Sequence, residues 1–247
     1  MPAPQASMFS QLARLSYRGA DAGGIGGAAV RAAEAAAAAV AGGQGLDYEG
    51  YIDQISVAIC SAWSQWQSMA TMVGVIINAV TATGGVVVGP PWTPLIVARG
   101  PKQNPEATRM TNTIASVLGT AWLTFTASIK VVGMPWYPAF AAVPSPVAPP
   151  VPNIPCPVAA LTSVDIPITS RVLAMQMAAM DATNSNEHRR VYAAIADAFE
   201  KIVSLWKVST MVTNVLGTGP VPTFAPPYVP VGPVVGGVGT MLPGGFS

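Results

Sequence analysis

Charged side chains are scarce in this chain: they make up 9% of its 247 residues, against about 25% in a typical soluble domain. From Gln54 to Ala98 there is none at all. Histidine occurs once, as His188, so a metal centre built on several imidazoles is excluded. Cysteine occurs twice, at Cys60 and Cys156, with no spacing that makes a disulfide framework. Both read as small buried hydrophobes in a chain made in a reducing cytoplasm. The net charge is +1, and His188-Arg189-Arg190 is the one basic cluster. Phosphate neutralisation needs more clustered Lys and Arg than this, which argues against nucleic acid as a partner. The opening Met-Pro-Ala-Pro-Gln-Ala-Ser has no basic region followed by an apolar one, so no secretory signal is expected.

Catalytic constellations are equally sparse. The eleven carboxylates are mostly isolated. Asp47, Glu49 and Asp53 read as the solvated side of a helix start, and His188 as a solvated first-turn residue. There is no Gly-x-Ser-x-Gly or Walker pattern. Gly24-Ile-Gly-Gly-Ala-Ala29 fits a dinucleotide fingerprint formally, but no strand precedes it, so it reads as a hinge. These residues predict no enzyme, no cofactor, no metal and no small-molecule substrate.

What the chain has in quantity is apolar surface, glycine and proline. Apolar residues reach 51%, with 24 glycines and 24 prolines, and the mean hydropathy is +0.46. Helix signals fall at Ser7–Tyr17, Ala28–Ala41, Leu46–Val80, Glu106–Val132, Ser170–Ala182 and Glu187–Leu216. The last carries a cap at Ser185 or Asn186 and an Asp197/Lys201 pair one turn apart. Thr81–Pro105 reads as extended, because Pro90, Pro91, Pro94, Pro101 and Pro105 oppose helix. Val86-Val87-Val88 could add a strand to a neighbour's sheet. Gly133–Pro157 reads as polyproline II, and Gly217–Ser247 as a Gly/Pro tail.

This pattern predicts a mainly α protein: several apolar helices joined by long extended Pro/Gly-rich arms, with three weak helix-plus-arm repeats. The segments are an Ala/Gly-rich helical region at 1–45, helix plus arm at 46–105, helix plus arm at 106–162, and two helices plus a tail at 163–247. The repeat rests on Trp66 ahead of Thr71-Met72-Val73 and Trp206 ahead of Thr210-Met211-Val212. Val117-Leu118-Gly119-Thr120 and Val215-Leu216-Gly217-Thr218 also recur, out of phase with it.

Tryptophan and methionine at helical spacing are core material or, where exposed, interface material. The interface candidates are Trp63, Trp66, Trp92, Trp122, Trp136, Tyr137, Trp206, Phe224 and Tyr228. Pro90-Pro91-Trp92-Thr93-Pro94 and Pro135-Trp136-Tyr137-Pro138 are arms that dock on a neighbour or wrap the chain's own helices; the sequence leaves both open. In style, low-charge helices joined by Pro/Gly arms are similar to small structural parts of virions, phage tails and contractile injection machines. The expected function is therefore structural: a non-enzymatic subunit of a large symmetric assembly. It would be bound to copies of itself or to other subunits, and would reside in the assembled particle after cytoplasmic synthesis. The alternative is a membrane-inserting or pore-lining protein using apolar helices 55–88 and 110–132.

Overall fold

The computed structural model describes residues 3–19, 46–136, 147–183, 185–225, 229–230 and 232–247. The helix expected at Ala28–Ala41, the Gly24–Ala29 hinge, Tyr137 and Tyr228 lie outside the described residues.

The N-terminal helix α1 (Ala6–Gly19) buries Phe9, Ala13 and Tyr17 at i, i+4, i+8, one stripe of an amphipathic helix. It packs on α2 (Tyr48–Met69) and α6 (Asn186–Ser209). Asp47 caps α2 by accepting from the Gly50 N–H. Glu49 and Asp53 pair with Arg18 and Arg14 of α1 rather than facing water alone. Between α2 and α6 in sequence lie α3 (Trp92–Arg99), α4 (Pro105–Ser128) and α5 (Ser170–Met180). Asn104 caps α4 and Pro105 opens it, where a missing N–H has no partner to lose. Short 3₁₀ turns at Val158–Ala160 and Ile166–Ile168 lead into α5.

The mainly α, arm-and-repeat expectation is overturned by a six-stranded antiparallel sheet. Its strands, in sheet order, are β3 (Val131–Pro135), β2 (Thr81–Val88), β1 (Thr71–Asn78), β10 (Gly237–Met241), β7 (Val215–Pro220) and β4 (Val147–Pro152). Two short pairings of two residues per strand complete the described strands: β5 (Cys156–Pro157) with β6 (Met211–Val212), and β8 (Phe224–Ala225) with β9 (Val229–Pro230). The helix expected to run to Val80 stops at Met69. From Thr71 onward the sequence is rich in Val, Ile and Thr, which favour a pleated surface. Ala79, at φ 56°, turns the chain so that β1 pairs with β2. The Val86–Val88 triplet thus joins this chain's own sheet rather than a neighbour's.

The proline argument against helix also fails at Trp92–Arg99. Pro91 is the N-cap and Pro94 lies in the first turn, both positions where no intrahelical N–H is needed. The Trp66 and Trp206 echoes mark equivalent events: each precedes a helix exit in which the next extended residue, Ala70 or Thr210, donates back to the tryptophan carbonyl. The Val-Leu-Gly-Thr echo has no such equivalence, because 117–120 lies inside α4 and 215–218 inside β7.

The inner face of the sheet carries Met72, Val75, Ile77, Ala82, Met134, Val215 and Met241, all buried and continuous with the helical core. The ends of the edge strands meet: Trp136 pairs with Asn153, and the Ile154 N–H donates to the Pro135 carbonyl at 3.1 Å. Asn153 clamps this seam, donating to the Val212 carbonyl at 2.9 Å and accepting from the Val215 N–H at 3.0 Å. Space inside the curl is tight. A Cβ at Gly217 would overlap the Ile77 methyl and the Trp136 ring. Gly217→Ala should lower stability by about 1–3 kcal/mol, as overpacking does, seen as a fall in the urea midpoint. An unchanged midpoint would show that β7 does not face the sheet interior.

Candidate functional site

Five of the six tryptophans form one aromatic cluster at the centre of the helices. Trp63 lies 4.8 Å from Trp122, 5.3 Å from Trp92 and 5.8 Å from Trp206, ring centre to ring centre. Trp92 and Trp122 stack at 4.4 Å, and Trp66 meets Trp122 edge-on at 4.9 Å. Phe199 and Phe246 close the cluster. Trp206 donates to the Gln67 side chain at 3.1 Å, whose amide donates to the Phe246 carbonyl. Trp136 sits apart, inside the sheet. All six are at most 2% exposed. Trp63, Trp66, Trp92, Trp122, Trp136 and Trp206 are thus core of this chain and present no surface to a neighbour. The Trp92 and Trp136 segments wrap their own fold. Among the interface candidates that the structure describes, Phe224 alone is exposed, at 48%.

The polar centre of the molecule is His188, whose solvated first-turn expectation is corrected by its 1% exposure. The ring lies between two carboxylates. Nδ1 is 2.5 Å from Asp181 Oδ2 and Nε2 is 2.6 Å from Glu106 Oε1. Ionised carboxylates only accept, so both contacts are hydrogen bonds when the ring carries a proton on each nitrogen. Asp181, at the end of α5, is fully buried and also accepts from the Tyr192 hydroxyl at 2.9 Å, the Thr183 N–H at 3.1 Å and Arg109 Nε at 3.2 Å. Glu106, in the first turn of α4, also accepts from the Tyr48 hydroxyl at 3.0 Å. The starts of α2, α4 and α6 and the end of α5 are thereby tied at one point. Burial pushes the Asp181 carboxyl up, but the bonds from His188, Tyr192 and Thr183 outweigh it and hold it below its ordinary value. Burial, with Asp181 beside it, pushes the Tyr192 hydroxyl well above its own.

This arrangement fastens helices together and leaves neither ring nitrogen free to act on a substrate. Sequence spacing hid it, because Glu106, Asp181 and His188 come from separate segments. A polar cleft of about 690 Å³ opens beside it, lined by Lys102, Gln103, Asn104, Arg109 and Asn112 among others. Among the described residues, no group of three or more His, Cys, Asp or Glu side chains could hold a metal ion. Burial pushes the Cys60 thiol up to about 12 and raises Cys156 as well, and neither forms a disulfide. Both are therefore poor nucleophiles.

The outward side of the sheet is of a different kind. None of its six strands contains a charged residue. Pairing register places Val132, Thr83, Ile76, Val238 and Thr218 in one row across five strands. All five are exposed, with Val132 at 61%, Ile76 at 48% and Val238 at 58%. Val73 and Val86, paired to each other, and Val88 widen the patch. Residue order hides it, because the expected pattern places Ile76 and Val132 in helices, Thr83 in an extended arm, and Thr218 and Val238 in a Gly/Pro tail.

No helix among the described residues is long and apolar enough to cross a membrane. The spans considered at 55–88 and 110–132 fail for structural reasons. The first breaks into a helix and a hairpin at Ala70, and the second lies within and beyond α4, whose inner face is buried in the Trp cluster. Comparison of the chain with protein-family models, with curated proteins and with solved structures finds no match in any of the three.

Proposed function

We propose that this protein is a non-enzymatic structural subunit of a larger symmetric assembly, and that the outward sheet face is its docking surface. The observation that carries the reading is the charge-free row from Val132 to Thr218. Exposed apolar surface that spans several strands without an interrupting charge is costly in water and marks an interaction site. The buried Trp cluster and the fastened His188 network supply a rigid body on which such a face can be presented. The low charge and the Pro/Gly-rich connections are similar in style to small components of virions, phage tails and contractile injection particles, and a particle of that kind is the proposed setting.

Fractionation of a native extract without detergent tests this. The chain should elute in a particle-sized species, and Val132→Lys should release it as a small, folded protein. Recovery of the wild-type chain solely as a free monomer would overturn the reading.

A further inference from the structure

We infer that the polar cleft beside the His188 network binds a small hydroxylated organic anion, whose acid group is a phosphate or a carboxylate. Local sequence builds one wall of it. Arg109, Asn112 and Ser116 recur at i, i+3 and i+7 along α4, so they share one helix face and line the cleft together. The segment leading into α4 adds Lys102 and Gln103, and the end of α5 adds Met180. The volume of about 690 Å³ falls within the roughly 300–1,000 Å³ of small-molecule sites and admits a ligand the size of a sugar phosphate.

Arg109 is positioned before any ligand arrives. Its Nε donates to Asp181 at 3.2 Å, and Asp181 is fully buried and held in turn by His188 and Tyr192. Among the described residues its two terminal nitrogens bond to nothing, and the side chain is 39% exposed. A guanidinium held in this way offers a fork that matches the paired oxygens of a carboxylate or phosphate, with little ordering cost. Lys102 is exposed and has no acidic partner among the described residues. No carboxylate, imidazole or thiol is among the residues lining the cleft. An entering anion therefore meets two cations and no lining acid, whereas an entering cation meets like charge. For the same reason the cleft binds without reacting. The hydroxyls of the ligand follow from Asn112 and Ser116, whose side chains have no hydrogen bond among the described residues. Each can both donate and accept, as an alcohol partner requires. An apolar ligand would need aliphatic and aromatic walls, and here Met180 is the one large apolar side chain in the lining.

The test is isothermal titration calorimetry on the purified full chain in a chloride buffer. The probes are glucose 6-phosphate, gluconate, inorganic phosphate and glucose. Glucose 6-phosphate, gluconate or both should bind at least about tenfold more tightly than inorganic phosphate, and glucose should give no signal. Binding of one organic anion alone supports the site and says which acid group it takes. Lys102→Gln, at an exposed side chain, should weaken the bound probe by about tenfold and keep the near-ultraviolet circular dichroism of the Trp cluster. Arg109→Lys keeps a cation beside Asp181 but loses the fork, and should weaken binding at least as much. Lys201→Gln, on α6 and outside the cleft, should change nothing. No binding of either organic anion, binding no tighter than that of inorganic phosphate, or unchanged affinity in Lys102→Gln overturns the inference. An equal loss in Lys201→Gln overturns it too, because the binding would then follow overall charge. The outward sheet face takes no part in these titrations, so their failure leaves the assembly reading as it stands.

Discussion

Trp122→Ala should remove a large part of the stability of the fold. The ring is 1% exposed and contacts Trp63, Trp66, Trp92, Trp206, Phe125 and Phe199. Deleting a buried indole costs about 3–5 kcal/mol through lost burial and the cavity left behind, out of a native stability of the order of 5–15 kcal/mol. Neighbours cannot fill the gap, because α3 already touches α4: a Cβ at Gly119 would overlap Thr93. Urea unfolding followed by circular dichroism should show the midpoint falling sharply or no folded baseline at all. Leu123→Ala one position along, at a side chain 66% exposed, should change stability by no more than about 0.5 kcal/mol. Equal midpoints for the two variants would mean that the cluster is not the centre of the core.

His188→Ala should be nearly as damaging, although the residue has no catalytic part in the proposed function. It removes the group between Asp181 and Glu106 and leaves Asp181 buried with Tyr192, Thr183 and Arg109 as its remaining partners. Breaking a buried pair from one side costs about 3–5 kcal/mol. The same network sets an acid limb. The Asp181 carboxyl is held below its ordinary value of 3.8 in the folded chain, so folding favours its ionised form. That stabilisation is complete above the unfolded value and is lost as the pH falls through the lower folded value. Urea midpoints measured from neutral pH down to pH about 2 should therefore fall steeply in the wild type. In Asp181→Asn they should start lower and fall less. Parallel acid limbs in the two proteins would assign the acid sensitivity elsewhere.

Much of the helical part of this protein was legible from residue order. Ser185 caps α6 as its side-chain chemistry dictates, and the Asp197–Lys201 pair forms at 2.7 Å. The apolar stripe of α6 and the small stripe of α1 each bury the face their period defines. These are local relations within one or two turns of chain, which sequence records directly. The scarcity of charge also determined something real: six strands without a charged residue have one face in the core and another that is exposed and free of charge.

The sheet, the Trp cluster and the polar knot were decided by tertiary structure. From Ala70 to Val88 the chain is uncharged and mostly apolar, and a helix and a hairpin look alike by hydrophobicity there. The choice fell to strand because β10 and β3 arrive to pair with β1 and β2, and β10 comes from more than 150 residues further along. Trp92 could as well have anchored a neighbour; it turned inward because stacking on Trp122 buries both rings against α2 and α6. By residue order Glu106 and Asp181 read as isolated carboxylates and His188 as a solvated first-turn residue, each in its own segment. Their meeting depends on four helix ends converging, and long-range convergence leaves no periodic trace in the sequence.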